Sequence, residues 1–94
     1  MVKYEYLAKY LVRYTDKGLF GEQLFTQEYK VTAENFEEAL KKASEIENKK
    51  EQVQTYLEDI FNGPLPSIES ITLYEFSEIG KRIPSEVGHI DDLV

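Results

Sequence analysis

The residue types that most often carry acid–base or metal chemistry are scarce in this 94-residue chain. His89 is its one histidine, and the nearby Asp91 and Asp92 suggest a metal site or an acid–base site. Such a site needs several groups that converge, and no third strong ligand stands near these residues in the sequence. We therefore expect a solvated surface histidine and predict no metal site.

Covalent catalysis has no better support, because the chain has no cysteine and none of its serines lies in a nucleophile-elbow motif. A serine nucleophile would also need a base and a group that orients the base, and the sequence suggests neither. The segment Gly18–Gly21 lacks the spacing and the following helix start of a phosphate-binding loop. We predict a non-enzymatic protein without catalytic residues or a cofactor.

The elements that would position any functional surface begin with a hairpin. Residues 2–15 alternate with a period of two, which predicts a long strand with tyrosines on one face. Residues 15–18 then have turn chemistry, with Asp16 at the start and Gly18 suited to a left-handed conformation. A second strand is predicted at about residues 20–31, antiparallel to the first.

A helical pattern follows the hairpin. Thr32 is the predicted N-cap, Val31 and Phe36 have the spacing of a hydrophobic staple, and Gly63 is expected to end the helix in a left-handed conformation. The stretch 47–52 is entirely polar, so either one long helix runs through it or two helices meet there. One helix of about 30 residues would match a strand of about 45 Å in length, which favours continuity.

The order strand, strand, helix, strand predicts an α+β fold. The third strand is expected at residues 67–76, and pairing it beside the first strand gives a three-stranded antiparallel sheet in the order 2-1-3. One long or broken helix would cover one face of this sheet, in a β-β-α-β arrangement. We expect a single domain over residues 1–78 and a loosely ordered tail over residues 79–94.

Alternation also predicts an apolar set on the sheet face opposite the helix. When the tyrosines of the first strand face the helix, its leucines face away, and the same parity applies to Leu24 of the second strand. Ile71 and Leu73 are expected to face the helix, which turns the next aromatic residues outward. The predicted protein-interaction residues on this open face are Leu7, Leu11, Leu24, Tyr74 and Phe76.

Monomers rarely leave a large apolar patch in water, so something should cover this face. The candidates are a second copy of the chain, a partner protein, or the tail folding back through Ile79, Ile83 and Ile90. If the face is an interface, Leu11→Asp or Phe76→Asp should abolish association and leave the helix-side core intact.

The net charge of −7 is carried by the middle and the end of the chain. This charge repels phosphate, so we expect no direct binding to nucleic acid and an easier approach for a basic partner. Glu34, Glu38 and Glu45 could form an acidic helix face that mimics a phosphate backbone. Interspersed lysines make an ordinary solvated face the competing interpretation.

The hairpin, the helix entry Val31–Ala39 and the closing strand Ile68–Tyr74 resemble small orphan proteins encoded by phages and prophages. The resemblance covers about residues 2–76 and transfers no functional residue. It implies binding and blocking of a host protein, including nucleic-acid-directed defence enzymes.

These observations predict a small acidic protein-binding module in the cytoplasm, with a basic, nucleic-acid-binding protein or a second copy as the partner. No apolar run is long enough to span a membrane, so we expect no membrane partner. The first alternative is a structural protein that assembles with itself, as a homodimer for example, without a separate target. A third is a small-molecule binder whose site forms only at an oligomer interface.

Overall fold

The computed structural model describes residues 3–15, 24–79 and 88–93. The helices and strands are β1 (Tyr4–Tyr14), β2 (Leu24–Ala33), α1 (Phe36–Glu45), α2 (Lys50–Phe61), β3 (Ile68–Glu78) and β4 (Gly88–His89), and short 3-10 turns span Ile46–Asn48 and Ile90–Leu93. The predicted turn at Asp16–Gly18 and the predicted start of the second strand at residue 20 lie outside the described residues.

The four strands form one mixed sheet in the order β3-β1-β2-β4. β1 is antiparallel to both β2 and β3, whereas β4 pairs with β2 in parallel, with Gly88 opposite Tyr29 and His89 opposite Lys30. The prediction of a three-stranded antiparallel sheet is therefore wrong. β4 is only two residues long, and so short a strand shows no alternation that a sequence pattern could reveal.

The core lies between the sheet and the helices, because alternate residues of β1 point toward α1 and α2. Tyr10 is fully buried there, and its hydroxyl donates a 2.6 Å hydrogen bond to the carbonyl oxygen of Ala43. The fully buried large side chains are Tyr10, Val12, Val31, Ile46, Val53 and Leu57.

The helical segment is broken, so the favoured prediction of one continuous helix is wrong. α1 ends at Glu45, a 3-10 turn follows, and Lys49 leaves the helical region with φ −117° and ψ 48°. The side chains at the break reach the neighbouring strand, since a Glu47 carboxylate oxygen accepts from the Leu73 N–H and Lys50 Nζ donates to the Glu69 carbonyl oxygen. These bonds to β3 accompany the break in the polar stretch.

The helix also begins later than predicted. Thr32 lies inside β2, opposite Glu5, and the N-cap is Asn35, whose side-chain oxygen accepts from the Glu38 N–H at 2.8 Å. Phe36 is therefore the first helical residue rather than the fourth, and the predicted staple with Val31 does not have the required spacing.

The end of α2 depends on Asn62, which has φ 56° and ψ 42°. The sequence predicts this left-handed conformation for Gly63, whereas in the structure the preceding residue, Asn62, adopts it. The left-handed region is unfavourable for residues with a Cβ and least so for asparagine. We expect Asn62→Ala to lower the free energy of unfolding by about 1 kcal/mol, measured by urea denaturation.

Asn62→Gly is the matched control, because glycine adopts the same backbone conformation without a steric penalty. It should retain at least the stability of the parent protein. Equal loss of stability in both variants would show that the asparagine side chain, rather than the backbone conformation, stabilises the helix end.

The C-terminal segment 88–93 packs on the fold, in contrast to the loose tail predicted from residue 79 onward. Ile90 and Leu93 are buried members of the core cluster, and β4 fixes the segment beside β2. A Cβ added at Gly88 would lie only 2.5 Å from the Tyr56 hydroxyl, so a larger residue there would displace the Tyr56 side chain of α2. Ile90 therefore supports the helix-side core and does not cover the open sheet face; Ile83 lies outside the described residues.

Candidate protein-interaction surface

The pairing of β1 with β3 contains an irregularity that decides which β3 residues face the helices. Lys9 lies opposite Glu75 and Tyr10 lies opposite Leu73, so Tyr74 is an extra residue in β3. This β-bulge shifts the alternation by one position. Two residues on opposite sides of the bulge therefore point to the same face of the sheet when they are an odd number of positions apart.

The bulge moves Phe76 to the helix side, so its predicted position on the open face is wrong. Phe76 lies opposite Ala8, a buried helix-side residue, and its ring stacks on that of Tyr6 with centroids 5.4 Å apart. Phe76→Asp would consequently disturb the helix side of the sheet. The sequence-based prediction for this substitution assumed that the helix-side core would stay intact.

The other predicted interface residues do not form one continuous apolar patch. Leu7 and Leu11 are half-buried on the open face, whereas Leu24 and Tyr74 are about half exposed. Polar side chains separate them, because Leu7 lies between Lys30 and Ser77 and Leu11 lies between Thr26 and Thr72. The role of these four residues in binding remains a prediction.

A charged triplet crosses the centre of the open face. Lys9 Nζ lies 3.6 Å from a Glu28 carboxylate oxygen and 3.5 Å from a Glu75 carboxylate oxygen. The two carboxylates raise the pKa of Lys9, Glu75 more than Glu28. Because two acids share one base, the triplet carries one excess negative charge.

Among the described residues, both outer edges of the sheet are at least partly unpaired, because β4 covers β2 only at Tyr29 and Lys30 and the outer edge of β3 has no partner strand. The first half of the β3 edge is hydrogen-bonded by Glu47 and Lys50, at the positions of Leu73 and Glu69. Beyond the bulge, the Ile79 N–H donates inward to the Glu5 carbonyl oxygen. Alternation then points the peptide groups of Phe76 and Glu78 outward, where no described side chain binds them.

Exposed apolar side chains flank the open part of this edge. Phe36 is 52% exposed, and Leu40, one helical turn later on the same flank of α1, is 37% exposed. The Phe36 ring contacts the rings of Phe76 and Tyr6, with centroid separations of 5.4 and 6.0 Å. We call Phe36, Leu40 and the outer edge of residues 74–78 the β3-edge surface.

Sequence reasoning missed this surface because it treated Phe36 as the partner of Val31 in a hydrophobic staple. A signal was nevertheless present in the spacing of the apolar residues of β3. Ile68, Ile71, Leu73 and Phe76 all pack on the helix side, at separations of three, two and three residues. Strict alternation cannot place all of them on one face, so this spacing indicates irregularities of the kind observed at both ends.

Of the three predicted acidic-face residues, Glu38 and Glu45 lie in α1 and Glu34 precedes its N-cap, and the three do not form an uninterrupted acidic surface. Glu38 accepts from the Glu34 N–H and lies 3.6 Å from Lys42 Nζ. Lys42 and Lys49 line the same shallow groove as Glu45. Lysines thus offset much of the charge on this side of the helix.

Concave sites also lie elsewhere on the surface. One of about 410 Å³ is lined by Glu51, Asp59, Asp92 and Tyr56, and one of about 210 Å³ at the other end of the sheet is lined by Tyr14, Phe25, Phe61 and Leu65. Among residues 3–15, 24–79 and 88–93, no three acidic or histidine side chains are grouped to hold a metal ion. The helices of these segments are each too short or too polar to cross a bilayer.

His89 has a structural role in this arrangement. Its Nε2 lies 2.8 Å from Thr32 Oγ1, and its Nδ1 accepts a 3.1 Å hydrogen bond from the Asp91 N–H. Nδ1 also lies 3.4 Å from an Asp91 carboxylate oxygen. The histidine therefore links the C-terminal segment to the edge of β2.

Comparison with known proteins identifies no family for this chain. No protein-family model, no curated protein and no solved structure matches the chain. The physical features of the β3-edge surface must therefore support any assignment of function.

Proposed function

We propose that this chain is a non-enzymatic protein-binding module and that the β3-edge surface is its binding site. The observation that supports this proposal is the strand edge at Phe76 and Glu78, which no described strand pairs and beside which Phe36 is exposed. Unpaired strand edges readily pair with another chain, and natural proteins usually shield them. Exposed aromatic and aliphatic side chains next to such an edge favour a protein as the ligand.

The aromatic residues of the surface are held in place before any partner binds. Tyr6 is buried and stacks on Phe76, and both rings contact Phe36. A side chain that is already ordered loses little conformational entropy when a partner covers it. This preorganisation favours binding through Phe36 over binding through the separated leucines of the open face.

The net charge of the chain favours a basic protein partner over nucleic acid. The role expected from the resemblance to phage-encoded proteins, that of an inhibitor of a host or defence protein, forms the second part of this proposal. A small module that exposes a strand edge could act in this way, by occupying a surface that its target needs.

The proposal is tested by comparing two single substitutions in affinity purification from a bacterial lysate. Phe36→Ser removes an exposed aromatic side chain from the β3-edge surface, and Leu11→Ser removes an apolar side chain from the open sheet face. We expect a partner that the parent protein retains to be lost with Phe36→Ser and kept with Leu11→Ser. Quantitative mass spectrometry of the eluates measures this difference.

The reverse result, with the partner kept by Phe36→Ser and lost with Leu11→Ser, would move the binding site to the open face. Circular dichroism of both variants shows whether a loss reflects unfolding. If a folded Phe36→Ser protein retained every partner at the parental level, the β3-edge surface would not be the binding site.

A further inference from the structure

We infer that the β3-edge surface takes an extended peptide segment as an additional strand, with an apolar residue opposite Phe76 and basic residues opposite Glu75 and Glu78. This inference rests on the proposed function and specifies the chemistry of the partner. It concerns backbone pairing and charge, neither of which the substitution at Phe36 tests.

The backbone of β3 offers the hydrogen bonds that such a strand needs. The peptide groups of Phe76 and Glu78 point away from β1, since the Ile79 N–H points toward it. Strand addition to a sheet edge derives affinity from these main-chain bonds, while alternate side chains supply specificity. The bonds from Glu47 and Lys50 to the first half of β3 confine the addition to the part beyond the bulge.

The side chains on each face then set the pattern of the added segment. A partner residue opposite Phe76 points to the helix side, where Phe36 and Leu40 expose apolar surface. The partner residue opposite Glu75 points to the open face. Glu75 already shares Lys9 with Glu28, so this group has one negative charge to spare for a second cation.

Charge argues for a basic segment and against a second copy of this chain. β3 contains Glu69, Glu75 and Glu78 and no lysine or arginine. Pairing of two β3 edges about Phe76 would place Glu75 diagonally across from Glu75 of the second copy, and like charges on neighbouring strands destabilise a sheet. A segment with lysine or arginine at the matching positions has the opposite effect.

In the antiparallel arrangement, which is the more stable per residue, the required order is basic, any residue, apolar, basic. The peptide acetyl-Thr-Lys-Thr-Leu-Lys-Thr-Thr-amide satisfies this pattern. We expect it to bind the full chain and to shift the amide resonances of Phe76 and Glu78 in a heteronuclear NMR titration. Raising the salt concentration should weaken binding, because the exposed charges are screened beyond about 8–10 Å.

N-methylated peptides separate strand addition from mere charge attraction. Methylation of the leucine nitrogen removes the N–H that faces the Phe76 carbonyl oxygen and should weaken binding by about tenfold or more. Methylation of the nitrogen of the lysine that follows it is the matched control, since that N–H points away from β3. Equal binding of the two methylated peptides would overturn strand addition.

A charge exchange tests the second half of the inference. Glu78 is exposed at the end of β3, so Glu78→Lys should leave the fold unchanged. The variant should bind the lysine peptide roughly fivefold more weakly, and a peptide with glutamate at the position opposite residue 78 should restore affinity. No change with either peptide would overturn the charge assignment.

The outcomes distinguish this inference from the proposed function. If Phe36→Ser loses the cellular partner but the peptide does not bind, the surface binds protein by another mode and strand addition is wrong. If Phe36→Ser keeps the partner, the proposed function fails first. A dimer in sedimentation analysis that Phe36→Ser dissociates would show that a second copy occupies the edge and would overturn the basic partner.

Discussion

Replacing Leu57 with alanine is expected to lower the free energy of unfolding by about 3 kcal/mol. Leu57 lies in the second half of α2, is 1% exposed and belongs to the core between helices and sheet. Removing its terminal carbons loses the free energy of burying them and leaves a cavity that the surrounding side chains fill only in part. A domain of this size has a total stability of about 5–10 kcal/mol, so one substitution would remove a large part of it.

Leu40→Ala is the matched control, because it makes the same chemical change in the other helix at a position that is 37% exposed. The two variants carry the same change in helix propensity, and burial is the main difference between them. We expect a loss of about 1 kcal/mol for Leu40→Ala, with both values measured by urea denaturation. Similar losses at the two positions would show that Leu57 is not part of a tightly packed core.

The long strands and their neighbours could be predicted because their information is local. The alternation in β1 identified its buried face correctly, and Tyr6, Tyr10 and Tyr14 are all buried. The predicted hairpin pairs β1 with β2, and the apolar content of both faces of β1 indicated a central strand. A period of two and an antiparallel partner are sufficient for these conclusions.

The open-face patch could not be predicted reliably because its prediction assumed that side chains alternate strictly between the two faces along the whole of β3. One extra residue at Tyr74 exchanges the faces for every residue that follows, including Phe76. The bulge lies next to the Leu73 N–H, which donates to the Glu47 carboxylate of the helical segment. A strand pattern taken alone contains no record of that contact.

The break between α1 and α2 and the short strand β4 have the same kind of cause. A polar stretch between two apolar helical patterns is compatible with one helix or two, and the contacts of Glu47 and Lys50 with β3 belong to the broken form. β4 depends on its position beside Tyr29 and on the tight contact of Gly88 with Tyr56. The position of the β3-edge surface depends on these contacts, because it begins at the bulge, after the half of β3 that Glu47 and Lys50 bind.

The protein is expected to lose stability steeply as the pH rises above 10, because two tyrosines are buried as neutral phenols. Burial raises the pKa of Tyr10, with a further contribution from Glu47, and burial raises the pKa of Tyr29, with a further contribution from Tyr56. Both groups have an ordinary pKa of 10.0 in the unfolded chain. Their stabilising contribution is complete below that pH and is lost as the pH rises toward the folded-state pKa.

The sign follows from proton release. Above pH 10, the unfolded chain gives up the phenolic protons that the folded chain retains, so unfolding becomes more favourable at higher pH. Each buried phenol contributes a slope of at most about 1.4 kcal/mol per pH unit. Urea denaturation at a series of pH values measures this slope, and the ultraviolet absorbance of phenolate reports the accompanying ionisation.

Two phenylalanine substitutions separate the tyrosines and complete the test. Tyr10→Phe removes a buried hydrogen bond to the Ala43 carbonyl oxygen and should cost about 1 kcal/mol at neutral pH. The Tyr29 hydroxyl is buried and has no hydrogen-bond partner among the described residues, so Tyr29→Phe should keep or increase stability at neutral pH. In each variant, the free energy of unfolding should also fall less steeply with pH above pH 10, because one buried phenol is missing. If Tyr29→Phe kept the full parental slope, Tyr29 would ionise as easily in the folded chain as in the unfolded one, and its burial as a neutral phenol would not be a source of the pH dependence.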